Sequence, residues 1–113
     1  MLISEIGALT LAYVGDAVFE LKMRTHFLNH IDTVKNVNAT AQSRAADRIQ
    51  NLLNEDELAV FKRGRNAKVN SIPAHSSVAE YHKATGLEAL FGYLYLSGQT
   101  DRIDELFNLI LYD

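Results

Sequence analysis

The chain has 113 residues, 48% of them hydrophobic and 22% charged, with a net charge of −3 at pH 7, one proline, six glycines and no cysteine. That length and apolar share predict one globular domain over residues 1–113, and the missing cysteines exclude disulfide frameworks and thiolate metal sites. No apolar run approaches the ~18 residues of a membrane span and no basic-then-apolar leader opens the chain, so a soluble, cytoplasmic protein with no membrane partner is expected.

In chain order, Ser4 is placed to cap a first helix running to about His30. Its first half, Ala8–Leu21 (ALTLAYVGDAVFEL), is apolar almost all round, which predicts burial on more than one side. In its middle stands Asp16, directly after Gly15, and its neighbours one turn away are Ala12, Tyr13, Phe19 and Glu20, none of them a cation. A second helix is expected from about Thr33 to Leu53, with Val34, Val37, Ala41, Ala45, Ile49 and Leu52 as its apolar stripe and Lys35, Gln42, Arg44 and Arg48 on other faces. Asn54 with Glu57 reads as a capping box opening a third helix, with Leu58, Ala59 and Phe61 inward. That helix should fail near Gly64, leaving Arg65–Ser76 as a loop. Ser77 with Glu80 opens a long helix ending near Gly98, and Thr100 caps a last one with Ile103, Leu106, Phe107 and Ile110 buried. Tyr93 and Tyr95 read as core. No segment alternates, so the expected fold is all-α with about five main helices.

The long helix repeats the oddity of the first. Ala84–Leu96 (ATGLEALFGYLYL) is apolar apart from Glu88, whose one-turn neighbours offer no cation either. An unpaired carboxylate in apolar surroundings costs several kcal/mol or gives up its charge. Glycines beside both acids (Gly15; Gly86 and Gly92) would let two helices approach closely. Each acid separately could be satisfied by a distant Arg or Lys. Together they point to a shared hard divalent cation, Mg2+ with Mn2+ as a substitute, which takes carboxylate oxygens, keeps waters and completes its shell with phosphates. Glu20, one turn after Asp16 on the same face, is a further candidate ligand and equally a solvated residue at the start of an amphipathic half.

Net charge speaks against a nucleic-acid partner, but its distribution does not. Leu58–Ala79 holds no acid, while Lys62, Arg63, Arg65 and Lys68 fall within seven positions. Local sign decides where a polyanion docks. Arg63, Arg65, Asn66 and Lys68 are therefore the candidate contacts for a phosphate backbone, arginine binding it bidentately, and an asparagine amide also suits the 2′-hydroxyls of an RNA. Arg44, Arg48 and Lys83 are secondary candidates. His26 and His30 stand four apart, as a zinc pair would, but no third ligand accompanies them at a familiar spacing.

YVGDAVFE (13–20) resembles the signature helix of the ribonuclease III family, and GLEALFGYLYL (86–96) resembles its second acidic helix. RGRNAK (63–68) and the small size are similar to the Mini-ribonuclease III form, which has the nuclease domain without a double-stranded-RNA-binding domain. The resemblance implies a ribonuclease III-type endonuclease domain working as a homodimer. It implies that Asp16 and Glu88 are catalytic and hold Mg2+ beside the scissile phosphate of double-stranded RNA, leaving 5′-phosphate ends. It also implies precursor 23S rRNA as substrate and the assembling large ribosomal subunit as a partner. Larger members carry three further acids where this chain has Leu9, Ala12 and Thr85; the short form shares this reduced set, and Thr85 is placed to orient a water. The sequence alone leaves two alternatives, a catalytically silent domain that binds structured RNA and a helical dimerisation module.

Overall fold

The computed structural model describes residues 2–28, 39–69 and 77–111, and among these every regular element is helical. A 3-10 turn at Ile3–Glu5 leads into α1 (Ala8–His26). α2 (Ala39–Ile49) continues into a second 3-10 turn, Gln50–Leu52; α3 is Glu55–Arg65, α4 is Val78–Leu96 and α5 is Thr100–Leu111. The five helices meet the all-α expectation. No helix among the described residues is long and apolar enough to cross a membrane.

α4 is the axis of the domain, touched by each of the other four helices. Its lack of a polar face follows from this: Leu87, Leu90, Phe91 and Leu94 are all sealed from water. Phe91 stacks on Phe19 of α1 at 5.5 Å between centroids, and Phe19 meets Phe107 of α5 edge-on at 5.9 Å.

Two helices pack on α4 backbone to backbone. A Cβ at Gly15 would fall inside the carbonyl group of Glu88 and 2.7 Å from the Gly92 nitrogen; one at Gly92 would fall 2.8 Å from the Leu11 carbonyl carbon. α1 and α4 thus cross antiparallel with no side chain between them, as the glycines beside the two acids suggested. α3 does the same through Gly64, whose added Cβ would sit 2.7 Å from Ala89 Cβ and 2.9 Å from Gly86 Cα.

Glu57 is fully buried. Asn54 caps α3 as expected, with Glu57 N–H donating to Asn54 Oδ1 and Asn54 N–H to Glu57 Oε1, both at 2.9 Å. The rest of the Glu57 carboxylate is held by a fork from α5, Arg102 Nε to Oε2 at 2.8 Å and Nη2 to Oε1 at 2.9 Å. Burial alone would raise the Glu57 carboxyl; the bonds from Arg102 and the Asn54 N–H, with the guanidinium charge, outweigh it and hold it below its usual range.

Several sequence expectations shift. Gly7 occupies the cap position of α1 without a side-chain bond, and Ser4 lies in the preceding 3-10 turn. α1 closes at His26 with Phe27 as its cap; His30 and the expected helical start at Thr33, with Val34, Lys35 and Val37, lie outside the described residues. The buried residues of α2 are Gln42, Ser43, Ala45, Ala46 and Ile49, a step round from the expected stripe, with Ala41 and Leu52 exposed. Alanines at 41, 45 and 46 give almost equal support to both registers, and only packing on α4 decides. In α3 the inward residues are Glu57, Val60, Phe61 and Gly64, and Ala59 faces water. Gly64 does not end α3; it is buried as a contact, so Arg65 remains helical and Asn66 is the cap. Tyr93 packs on the core, but Tyr95 is 53% exposed. Thr100 is the first residue of α5, and the Gln99 carbonyl takes the Ile103 N–H. Gly98, at φ +74°, ends α4 where expected.

α1 is also less enclosed than its composition suggested. Leu11, Ala12, Gly15 and Phe19 are buried, whereas Leu9, Tyr13, Asp16, Ala17 and Leu21 face outward, Tyr13 at 82% exposure. Val18 packs on the core and Val14 is half-buried.

Gly15→Ala should lower unfolding free energy by about 3 kcal/mol or more, because the methyl group meets backbone and the helices must separate. Gly7→Ala, where nothing lies within 4 Å of the new Cβ, should cost less than about 1 kcal/mol. Urea denaturation of the two variants checks the contrast.

Candidate active site

The α1/α4 crossing decides where the two sequence-predicted acids go. Asp16 follows Gly15, and Gly15 lies against the backbone of Glu88 itself, so the two carboxyl groups come within hydrogen-bonding reach of each other. Asp16 is on the exposed side of α1 rather than buried, and Glu88 is half-buried. From α2, Gln42 donates its Nε2 to Glu88 Oε2 at 3.4 Å. No Lys, Arg or His forms an ion pair with either acid among the described residues. Burial and the adjoining Asp16 carboxyl push Glu88 up to about 8, against the smaller opposing effect of Gln42.

Two facing carboxyl groups with no cation between them are costly unless a proton or a metal ion joins them. The donor set suits a hard divalent ion: carboxylate oxygens on one side and open water on the Asp16 side, as magnesium sites need. The set is small, since no group of three or more His, Asp or Glu gathers among the described residues. Glu20 turns its carboxylate to Arg24 Nη2, 2.5 Å away, and does not join the pair. Thr85 is 4% exposed and its hydroxyl donates to the Tyr81 carbonyl at 2.9 Å, which occupies the proton it would offer a water. Leu9 is exposed and Ala12 is buried.

The basic residues fall at the end of a helix, not within a loop. Arg63 and Arg65 lie in the last turn of α3, Asn66 caps it, and Lys68 follows, exposed. Positive charge at a helix C-terminus complements its dipole, so the placement is also locally favourable. Arg63 Nη2 donates to the Ile6 carbonyl at 3.1 Å; Arg65 Nε donates to Asn66 Oδ1 at 3.3 Å, with its guanidinium 5.9 Å from the centre of the Phe61 ring. Through Gly64, this turn packs on Thr85 and Gly86, one turn before Glu88. The basic end of α3 and the acid pair therefore share one stretch of α4.

The secondary candidates are more occupied. Arg48 Nη1 donates to the Ile110 carbonyl at 2.5 Å, tying α2 to α5, and Lys83 pairs with Asp47 at 2.9 Å. Arg44 is exposed on α2. Two residues escaped the sequence reading. Gln42 was set on a polar face, although its spacing from Ala45, Ala46 and Ile49 was the available signal. Arg102 offered no signal in sequence, because its partner Glu57 lies 45 positions away.

The pH dependence of stability follows from Glu88. Its folded-state value of about 8 lies above the ordinary 4.5, so its stabilising contribution is complete below about pH 4.5 and is lost as pH rises through about 8. In the metal-free protein, Glu88→Gln should raise stability at pH 8.5 by about 1–3 kcal/mol, less than the full shift implies because water reaches the site. It should change little at pH 4.5. Melting curves of both proteins across pH check this.

Comparison with known proteins gives the family. Residues 9–99 match the ribonuclease III domain. A Mini-ribonuclease 3 of Clostridium tetani is 40% identical over 119 residues, spanning 96% of this chain and 79% of that one. Another, from Thermoanaerobacter sp. (strain X514), is 43% identical over 114 residues, spanning 92% and 80%. A Fusobacterium nucleatum protein solved by X-ray crystallography superposes with a TM-score of 0.87 at 33% identity, covering 98% of both chains. With the domain matched across most of its length, the chain belongs to the ribonuclease III domain family and is an endoribonuclease.

Proposed function

We propose that the chain cleaves double-stranded RNA with a divalent metal ion held by Asp16 and Glu88, acts as a homodimer, and matures precursor 23S rRNA. The observation that carries the first part is the acid pair at the α1/α4 crossing, which no cation among the described residues joins. When bound, Mg2+ (or Mn2+ in its place) supplies polarisation of the phosphoryl oxygen, a water of lowered pKa and neutralisation at the leaving oxygen. Glu88, the more buried acid, anchors the ion; Asp16, the more exposed, faces the substrate side. The scissile phosphate enters from that open side.

Arg63, Arg65, Asn66 and Lys68 are the surface for the RNA backbone, fitted by charge to phosphates and by the asparagine amide to 2′-hydroxyls in the wide minor groove. Arg44, Arg48 and Lys83 add positive charge further along the same duplex. The 23S precursor as substrate, and with it a place beside the assembling large ribosomal subunit, follow from the resemblance to the Mini form carried by RGRNAK.

The dimer reading is supported by the outer face of α1. Leu9, Tyr13, Ala17 and Leu21 form an exposed, mostly apolar stripe, and a two-fold partner laid on it would bury it. The antiparallel register, carried one turn beyond Leu11 and Gly92, sets exposed Tyr95 and Leu96 level with the start of that stripe. A partner there holds two Asp16 residues at a fixed separation, one for each RNA strand.

Asp16→Asn and Glu88→Gln should each lower cleavage of a long RNA duplex at least 1000-fold, as should a chelator acting on the wild type, while duplex binding persists; a variant cutting at near wild-type rate would displace the site. Tyr13→Arg should give a folded monomer with cleavage reduced about 100-fold. Light scattering decides the second point, and a wild type that is monomeric at micromolar concentration yet cuts both strands would rule the dimer out.

A further inference from the structure

The buried residues of α2 are Gln42, Ser43, Ala45, Ala46 and Ile49. Three are apolar and Ser43 is short. Gln42 places a long polar side chain, 7% exposed, against α4. Burying an amide without a partner is costly, so its hydrogen bond is an obligation of the fold. The partner is the carboxylate of Glu88, reached by Gln42 Nε2 at 3.4 Å.

Glutamate has no strong preference about its last torsion, so a carboxylate held only at its stem turns freely. An external donor on one oxygen removes that freedom. The choice of donor matters as much as its presence. A lysine or arginine at 42 would neutralise the pair and compete with a metal ion, and a glutamate would add a third negative charge. A glutamine holds the oxygen and leaves the net charge of Asp16 and Glu88 unchanged.

We propose that Gln42 is a positioning residue for the reaction, its side-chain amide fixing the plane of the Glu88 carboxylate at the α1/α4 crossing. This role rests on Asp16 and Glu88 being the cation-holding pair. Gln42 touches neither substrate nor the reacting atoms and acts through Glu88.

The test uses the whole protein and Gln42→Met, which keeps the length of the side chain and removes the donor. Cleavage of a long RNA duplex gives kcat and KM, calorimetric titration with Mn2+ in the absence of RNA gives metal affinity, and a melting curve reports the fold. The expected result is a 10–100-fold fall in kcat, a KM within twofold of wild type, Mn2+ binding weakened about tenfold, and a melting temperature unchanged or raised. Gln42→Leu, which also lacks the donor, repeats the measurement should the methionine variant misfold. Unchanged kcat and Mn2+ affinity overturn the proposal. So does a lowered melting temperature with kcat and KM impaired together, since Gln42 is then only a packing residue. Asp16→Asn and Glu88→Gln measured in parallel separate the failures: if they abolish cleavage while Gln42→Met leaves kcat and Mn2+ affinity at wild-type values, this role alone falls, and if they also cut normally the acid-pair reading falls with it.

Discussion

The backbone contact at Gly15 and Gly92 is the constraint on which the site depends. Two helices separated by ordinary side chains lie 8–10 Å apart, too far for a short Asp and a Glu to meet without bending one of them. Removing the side chains at the crossing brings the axes together, and the residues flanking the glycines are then set by geometry rather than by local flexibility. Asp16 sits beside the contact on one helix, and Glu88 supplies the carbonyl that forms it on the other. Rigid helices, not loops, hold both acids, and the Phe19–Phe91–Phe107 cluster beneath keeps α1 from sliding along α4.

The domain treats Glu57 and Glu88 in opposite ways. Glu57 receives a guanidinium fork and the cap bond from the Asn54 N–H, so its charge is stabilised and its carboxyl is held down. Glu88 receives one neutral amide and a second acid, and its carboxyl is pushed up. The first arrangement locks α5 to the start of α3 and is complete within the chain. The second is incomplete within the chain, which is the usual mark of a group arranged for a ligand rather than for the fold.

What sequence could show followed the strength of its local signals. The capping box at Asn54 and Glu57, the stop at Gly98 and the apolar stripe of α5 depend on residues within a turn of one another, and the structure has them where spacing put them. The two acids stood out because charge in an apolar helix has no local remedy. The meaning of an all-round apolar helix was ambiguous: α4 is apolar because protein surrounds it, whereas α1 is apolar with one face open. The same composition serves both, so Asp16 was expected to be buried and is exposed. Gly64 misled for a related reason. A glycine near a helix end reads as a terminator, but its missing side chain here admits α4. The register of α2 and the Arg102–Glu57 fork were set by tertiary contact alone.

Because α1 pairs with α4, the acid pair joins positions about 70 residues apart, with about 70% of the chain's length between the earlier one and the end of α4. During synthesis Asp16 leaves the ribosome long before Glu88 exists, and no fragment ending before Leu96 presents both groups on a formed crossing. Closing so long a loop is an entropic cost that only the packing of the whole of α4 repays. A chain cut short in translation therefore lacks the paired arrangement of Asp16 and Glu88. The pair forms with α4, and α5 then closes the core over it with Ile103, Leu106, Phe107 and Ile110.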